Sequence, residues 1–188
     1  MIHVGNYLLE TRSIAASLNV IEIKQMVDEL VTLRSRKGRL WIVGLGGSAA
    51  NASHAANDFR KLCGIDAQCP TDNVAEFSAR ANDDGLDNAL YMQFSRPQDA
   101  LLVLSVGGGN AAVSGAIVGA INDCRNIGMK ILAIVGRDGG HAAKNGDCVI
   151  IVPTVNESRV TPHTEGWQSV ILHCIVSHPK LQRNATKW

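Results

Sequence analysis

Four side chains suited to acid–base or metal chemistry fall into two pairs, each spaced as a helix would present them. In the alanine-rich stretch from Ser48 to Leu62, the polar residues are Ser48, Asn51, His54 and Asp58. At about 100° per residue these four lie within roughly 120° of one another, with His54 and Asp58 one turn apart. A histidine and a carboxylate at i and i+4 can share a metal ion or a substrate proton. The same pair without a further partner is a solvated surface couple. Ala49, Ala50, Ala52, Ala55 and Ala56 are small and leave space beside the polar stripe. Glu165 and His173 form the second pair, roughly 80° apart around a helix axis. His173 follows the apolar Val170-Ile171-Leu172 and is expected to face inward. A buried histidine often does no more than make one hydrogen bond, and a glutamate near a helix start is equally explained by the macrodipole.

Two glycine-rich segments offer a different chemistry. Gly44-Leu45-Gly46-Gly47-Ser48 and Ser105-Val106-Gly107-Gly108-Gly109-Asn110 each follow an apolar run and lead toward a helical pattern. Glycine lets backbone N–H groups converge, and a helix N-terminus favours negative charge. The natural guest of such loops is a phosphate or a carboxylate.

The elements that must carry these residues are legible as alternating periods. Residues 40–43, 101–104, 131–135 and 149–152 are short β-branched and leucine-rich runs, three of them followed by glycine, and they read as strands buried on both faces. Residues 66–69 supply a weaker fifth strand. Ala111 to Ile127 places Ile117, Ala120, Ile121 and Cys124 on one helical face. Thr161-Pro162 reads as an N-cap followed by proline at the first helical position, opening a helix that runs to about Ser177 before His178-Pro179. This alternation predicts an α/β fold of three layers, a doubly wound parallel sheet of about five strands. Ahead of the first strand, residues 8–36 read as one long helix. Its apolar residues (Ile14, Leu18, Ile21, Ile23, Val27, Leu30, Val31) exceed what one sheet face can cover, so residues 1–38 are expected to contact another subunit as well as the core.

Composition narrows the function classes. The 188 residues are 46% hydrophobic and 19% charged, enough for one well-packed domain. Lys plus Arg (18) nearly balances Asp plus Glu (17), which disfavours a general nucleic-acid binder or a membrane-surface protein. Five scattered cysteines with no C-x-x-C pair indicate reduced thiols, hence a cytoplasmic protein, and no signal peptide or membrane span is expected.

Together these segments resemble the phosphoheptose (sedoheptulose 7-phosphate) isomerases, members of the sugar-isomerase (SIS) fold, which is flavodoxin-like. Gly44-Leu-Gly-Gly-Ser48 with His54 and Asp58 is similar to that family's G-N-G-G-S…H…E segment. Asn82-Asp83 matches its Asn-Asp. Ser105 to Asn110 occupies the place of its S-T-S-G-N-S phosphate loop, Gly136-Arg-Asp-Gly-Gly140 that of its G-K-D-G-G turn, and Glu165 to His173 that of its Q…H pair. The likeness covers residues 6–178. It implies a single SIS domain over residues 1–188, a homotetramer, and an aldose–ketose isomerase that works through an enediol on a sugar phosphate. By position, Asp58 and His173 would be the acid–base pair, with Glu165 beside them. His54, Asp58, Glu165 and His173 would be the ligands of Zn2+, with His163 an alternative donor. Ser48, Gly46, Gly47, Asn51, Asp83, Ser105, Gly107, Gly108, Gly109 and Asn110 would bind substrate or its phosphate. His3, His141 and His178 are read as lying outside the site.

The sequence departs from the family pattern at several of these positions. Leu45 replaces an asparagine. Val106, Gly107 and Asn110 replace hydroxyl-bearing residues, leaving Ser48 and Ser105. Asp58 is one methylene shorter than the usual glutamate, and Glu165 replaces a neutral glutamine, an added charge that either tightens a metal or repels a nearby phosphate. Two other readings stay in view. The altered phosphate loop suits a non-catalytic SIS-fold protein, either one that binds sugar phosphates or one that serves as an adaptor for a replication initiator. Gly44-x-Gly46-x-x-Ala49 with Asp66 about 20 residues on fits a dinucleotide-binding fingerprint.

Overall fold

The computed structural model describes residues 2–110 and 112–186. Its centre is a five-stranded, all-parallel sheet in the order β2-β1-β3-β4-β5. The strands are β1 (Leu40–Val43), β2 (Ala67–Gln68), β3 (Ala100–Ser105), β4 (Lys130–Val135) and β5 (Cys148–Ile151). Parallel strands covered on both faces must be apolar on both, and here alternate residues divide between two cores. Leu40, Ile42, Leu102, Leu104, Leu132 and Ile134 face one layer, while Trp41, Val43, Leu101, Val103, Ile131, Ala133 and Val135 face the other. The first face is covered by α2 (Val20–Ser35), α3 (Gly47–Cys63) and α7 (Val160–Val176), and the second by α5 (Gly115–Asn126) and α6 (Gly140–Asn145).

The N-terminal segment is two helices rather than one. α1 (Ile2–Ser17) ends before Asn19, whose side chain accepts the Ile21 N–H at 3.0 Å and caps α2. A side-chain acceptor for an otherwise unpaired N–H is what starts a new helix. Only Ile14 of α1 is buried, whereas Ile2, Val4, Leu8 and Leu9 are exposed. The helix expected from Ala111 begins at Gly115, because Asn110 Oδ1 accepts the N–H groups of Ala112 and Val113 and holds them in a turn. Ala111 itself lies outside the described residues. α7 starts at Val160 after a short 3-10 turn, Glu157–Arg159, so Arg159 takes the capping position assigned to Thr161. Residues 70–98, to which sequence periodicity assigns no element, contain α4 (Val74–Asp83), capped by Asn73 Oδ1 on the Glu76 N–H at 3.3 Å.

The order of the strands locates the site. β1 and β3 are neighbours, yet the chain leaves β1 toward α3 on one face and β3 toward α5 on the other. Their following loops part, opening a crevice at the carboxyl ends. Asp66, by contrast, precedes β2, at the amino ends of the strands, and is paired with Arg39 at 2.8 Å. It cannot meet a ribose held at the carboxyl ends, which removes the dinucleotide reading.

Candidate active site

A cleft of about 700 Å³ opens at this crevice, lined by Leu45 from the loop after β1, Ser48 from the first turn of α3, Ser105 at the end of β3, and Gly107, Gly109 and Asn110 from the loop that follows it. Its far wall is the turn after β4 and the short helix α6, with Arg137, Asp138, His141 and Lys144. Glycine is required where the two loops interlock. A Cβ on Gly108 (φ +69°) would lie 1.8 Å from the Gly139 carbonyl oxygen, and one on Gly140 would lie 2.2 Å from that of Gly107. This approach lets His141 N–H reach Gly109 O at 2.9 Å and Ala142 N–H reach Gly108 O at 3.0 Å. The loop after β3 is thus bolted to α6.

The loop's polar side chains are engaged within it. Ser105 Oγ accepts the Gly108 N–H at 3.1 Å, and Asn110 Oδ1 accepts two N–H groups of its own turn. On the other side of the cleft Gly46 (φ +60°) precedes α3, and Gly47 begins it. The Glu165 carboxylate lies against Gly47, with Oε2 2.5 Å from where a Cβ would stand. A negative group at the N-terminus of a 17-residue helix is favoured there by the dipole. Ser48 and Asn51 turn to a residue that sequence reasoning missed. Gln168, fully buried on α7, accepts Ser48 Oγ–H at 3.1 Å and Asn51 Nδ2–H at 3.0 Å, and Asn51 also donates to Glu165 O at 2.9 Å. A lone amide in an apolar helix was the available signal. Asp83 is exposed at the end of α4, beside Asn82, and does not line the cleft.

Three of the four acid–base and metal candidates meet where α3 crosses α7. Asp58 Oδ2 is 3.3 Å from His54 Nε2 and 3.7 Å from His173 Nε2, and the two imidazoles stand edge to face at 5.1 Å. His54, Asp58 and His173 each offer a donor atom, all within 4.8 Å of one another. The Asp58 side chain is 14% exposed, against 54% and 55% for the histidines, so a carboxylate sits at the floor with two imidazoles at its rim. His173 therefore faces this rim rather than the core. Glu165, held near Gly47, is not in this set.

Two histidines sit elsewhere than the sequence suggests. His163 is buried, donates from Nε2 to Glu10 Oε2 at 2.9 Å and stacks on Tyr7 at 4.3 Å, so it ties α1 to α7 and is no alternative ligand. His141, set aside as unrelated, lines the cleft with its Nε2 2.9 Å from Asn122 Oδ1.

The fold and loops are those of a sugar-isomerase domain, and residues 7–136 match the SIS domain family. A phosphoheptose isomerase of Helicobacter pylori is 27% identical over 182 residues, spanning 92% of this chain and 93% of that one. A phosphoheptose isomerase of Roseiflexus is 30% identical over 146 residues, covering 73% of this chain and 72% of its own length. The solved structure of a phosphoheptose isomerase from Neisseria gonorrhoeae shares the fold with a TM-score of 0.79 at 23% identity, over 93% of this chain and 95% of that one. The chain belongs to the phosphoheptose isomerase family of SIS-domain proteins.

Proposed function

We propose that the protein interconverts the ketose and aldose forms of a seven-carbon sugar phosphate, sedoheptulose 7-phosphate and its manno-heptose isomer, with Asp58 and His173 as the acid–base pair. The observation that carries the reading is the meeting of Asp58 with both imidazoles across α3 and α7. Isomerisation moves one proton between adjacent carbons and one between their oxygens. A carboxylate beside an imidazole supplies a group for each transfer, and positioned acid–base groups typically contribute about 10²–10⁴ in rate. An adaptor would leave this juxtaposition without a use.

The same three residues fit a divalent metal in donor type and number. Two imidazoles and a carboxylate suit zinc with an open position, and Zn2+ bound there would polarise the substrate carbonyl. Ser48 and Ser105 line the cleft, and Glu165 lies against Gly47 at the start of α3. Ten residues of α3 separate Ser48 from Asp58, about 15 Å of helix, more than a seven-carbon chain spans between its carbonyl carbon and its phosphate. This supports a homotetramer in which one subunit's cluster serves a neighbour's cleft, with the exposed apolar residues of α1 as a contact. We take the chain as one SIS domain throughout, since β5 and α7 pack into the same core as residues 7–136. No helix among the described residues is long and apolar enough to cross a membrane. Burial pushes the thiols of Cys63 and Cys148 up to about 11 and that of Cys124 up to about 12, which keeps them protonated and poorly reactive.

The test follows conversion of sedoheptulose 7-phosphate by NMR in protein purified without added metal, with bound zinc quantified in the same sample. Asp58→Asn and His173→Ala should each lower kcat by about 10²–10⁴. Turnover that survives both substitutions removes the assignment.

A further inference from the structure

The far wall of the cleft carries two cationic side chains with no partner. Arg137 and Lys144 line it, both are exposed, and among the described residues neither joins an ion pair or a side-chain hydrogen bond. They come from different parts of one rigid unit. Arg137 sits in the turn after β4, and Lys144 is on the last turn of α6, which is held to the loop after β3 through His141 N–H and Ala142 N–H. Arg137 has φ +52°, a left-handed backbone uncommon for a non-glycine residue, and the surrounding turn imposes it. That conformation leaves the guanidinium stem alongside Gly107, with Cδ 3.9 Å from where a Gly107 Cβ would stand.

The other walls of the cleft offer an anion neutral donors and no cation. Ser105 Oγ and Asn110 Oδ1 accept backbone N–H groups of their own loop, which leaves the Ser105 O–H and the Asn110 amide N–H as neutral donors, while Val106 and Gly107 carry no hydroxyl. Asp138, the other charged residue on the wall, is turned back onto the Gly140 N–H at 3.1 Å. His141 is held by Asn122 at the rim.

We infer that Arg137 and Lys144 hold the phosphate of the substrate, so that in this chain paired cations on the β4–α6 wall do the work of a hydroxyl-rich loop. This rests on the isomerase reading for the identity of the sugar, while the anion site itself stands on the geometry of the cleft. A guanidinium presents a planar fork to a phosphate and an ammonium acts as a point charge, and both remain charged at neutral pH. Binding through exposed cations weakens as salt rises.

The test uses the full chain, with Lys144→Gln, Arg137→Gln and the double variant. Binding of inorganic phosphate is followed by phosphorus NMR, and kcat and KM for sedoheptulose 7-phosphate are measured at low and high salt. Each single variant should weaken phosphate and raise KM about tenfold, the double about a hundredfold, with kcat changing far less. The salt dependence of KM should flatten in the double variant. Both side chains are exposed, and unchanged circular dichroism and assembly size confirm folding. Wild-type protein that does not bind phosphate, or variants that bind it within twofold of wild type, overturn the inference even if turnover is normal. Phosphate binding that weakens as expected in a protein with no turnover keeps the anion site and removes the isomerase.

Discussion

The interlock between the loop after β3 and the turn after β4 can be tested by adding one methyl group at Gly108. Two effects separate there. The positive φ of +69° costs an alanine about 1 kcal/mol wherever it occurs. The second effect is contact. The new Cβ would stand 1.8 Å from the Gly139 carbonyl oxygen, and an ordinary carbon–oxygen contact is about 3.3 Å, so the segments must part by about 1.5 Å. The hydrogen bonds from His141 N–H to Gly109 O and from Ala142 N–H to Gly108 O, at 2.9 and 3.0 Å, cannot stretch that far. Losing both removes about 2 kcal/mol at a net value of about 1 kcal/mol each, giving a total near 3 kcal/mol. Gly128 is the control. Its φ is +83° but nothing lies within 4 Å of its Cβ position, so Gly128→Ala should cost only the backbone term of about 1 kcal/mol. Urea denaturation of the two variants, compared at one protein concentration, should separate them by about 2 kcal/mol. Gly108→Ala should also weaken phosphate, since the cationic wall moves with α6. Two variants within about 0.5 kcal/mol of each other would refute the close approach.

Other expectations follow from the contacts around α1. Arg159 and His163 hydrogen-bond the Glu10 carboxylate and hold it well below the usual carboxylate range. A folded-state pKa below the unfolded value stabilises the protein fully above about pH 4.3, and the contribution is lost as pH falls toward the folded value. The stability gap between wild type and Glu10→Gln, measured by urea denaturation, should therefore be widest near neutrality and shrink below about pH 4. A gap that does not change with pH removes the ionic account of this contact. Leu8 and Leu9 are each 62% exposed on α1, and replacing both with glutamate should dissociate the proposed homotetramer without unfolding the chain, as read by sedimentation and circular dichroism. An unchanged sedimentation coefficient places the subunit contact elsewhere.

Much of the architecture is written in local pattern. Apolar runs at 40–43, 101–104 and 131–135 must be strands buried on both faces, because no other element of that length hides so many branched side chains, and the observed strands coincide with them to within a residue or so. The glycines after β1 and β3 likewise announce tight turns that lead toward helices. The pairing of His54 with Asp58 was readable because a helix fixes neighbours at i and i+4 whatever surrounds it.

What lies between elements was not readable that way. Nothing in local spacing says that His173 approaches Asp58 while Glu165, on the same helix, stays beside Gly47, since this depends on where α7 crosses α3. The same holds for Gln168, whose amide gathers Ser48 and Asn51, and for His163, drawn away from the site by Glu10 more than a hundred residues earlier. In the sequence Arg137 belongs to a glycine-rich turn, His141 reads as lying outside the site, and nothing singles out Lys144. They become a wall of the cleft only because β4 lies next to β3 in the sheet and the glycines of two distant loops pack backbone against backbone. Periodicity reports which face of an element is buried. Which distant side chain meets that face is set by the crossing of elements, and that is where the chemistry of this protein is assembled.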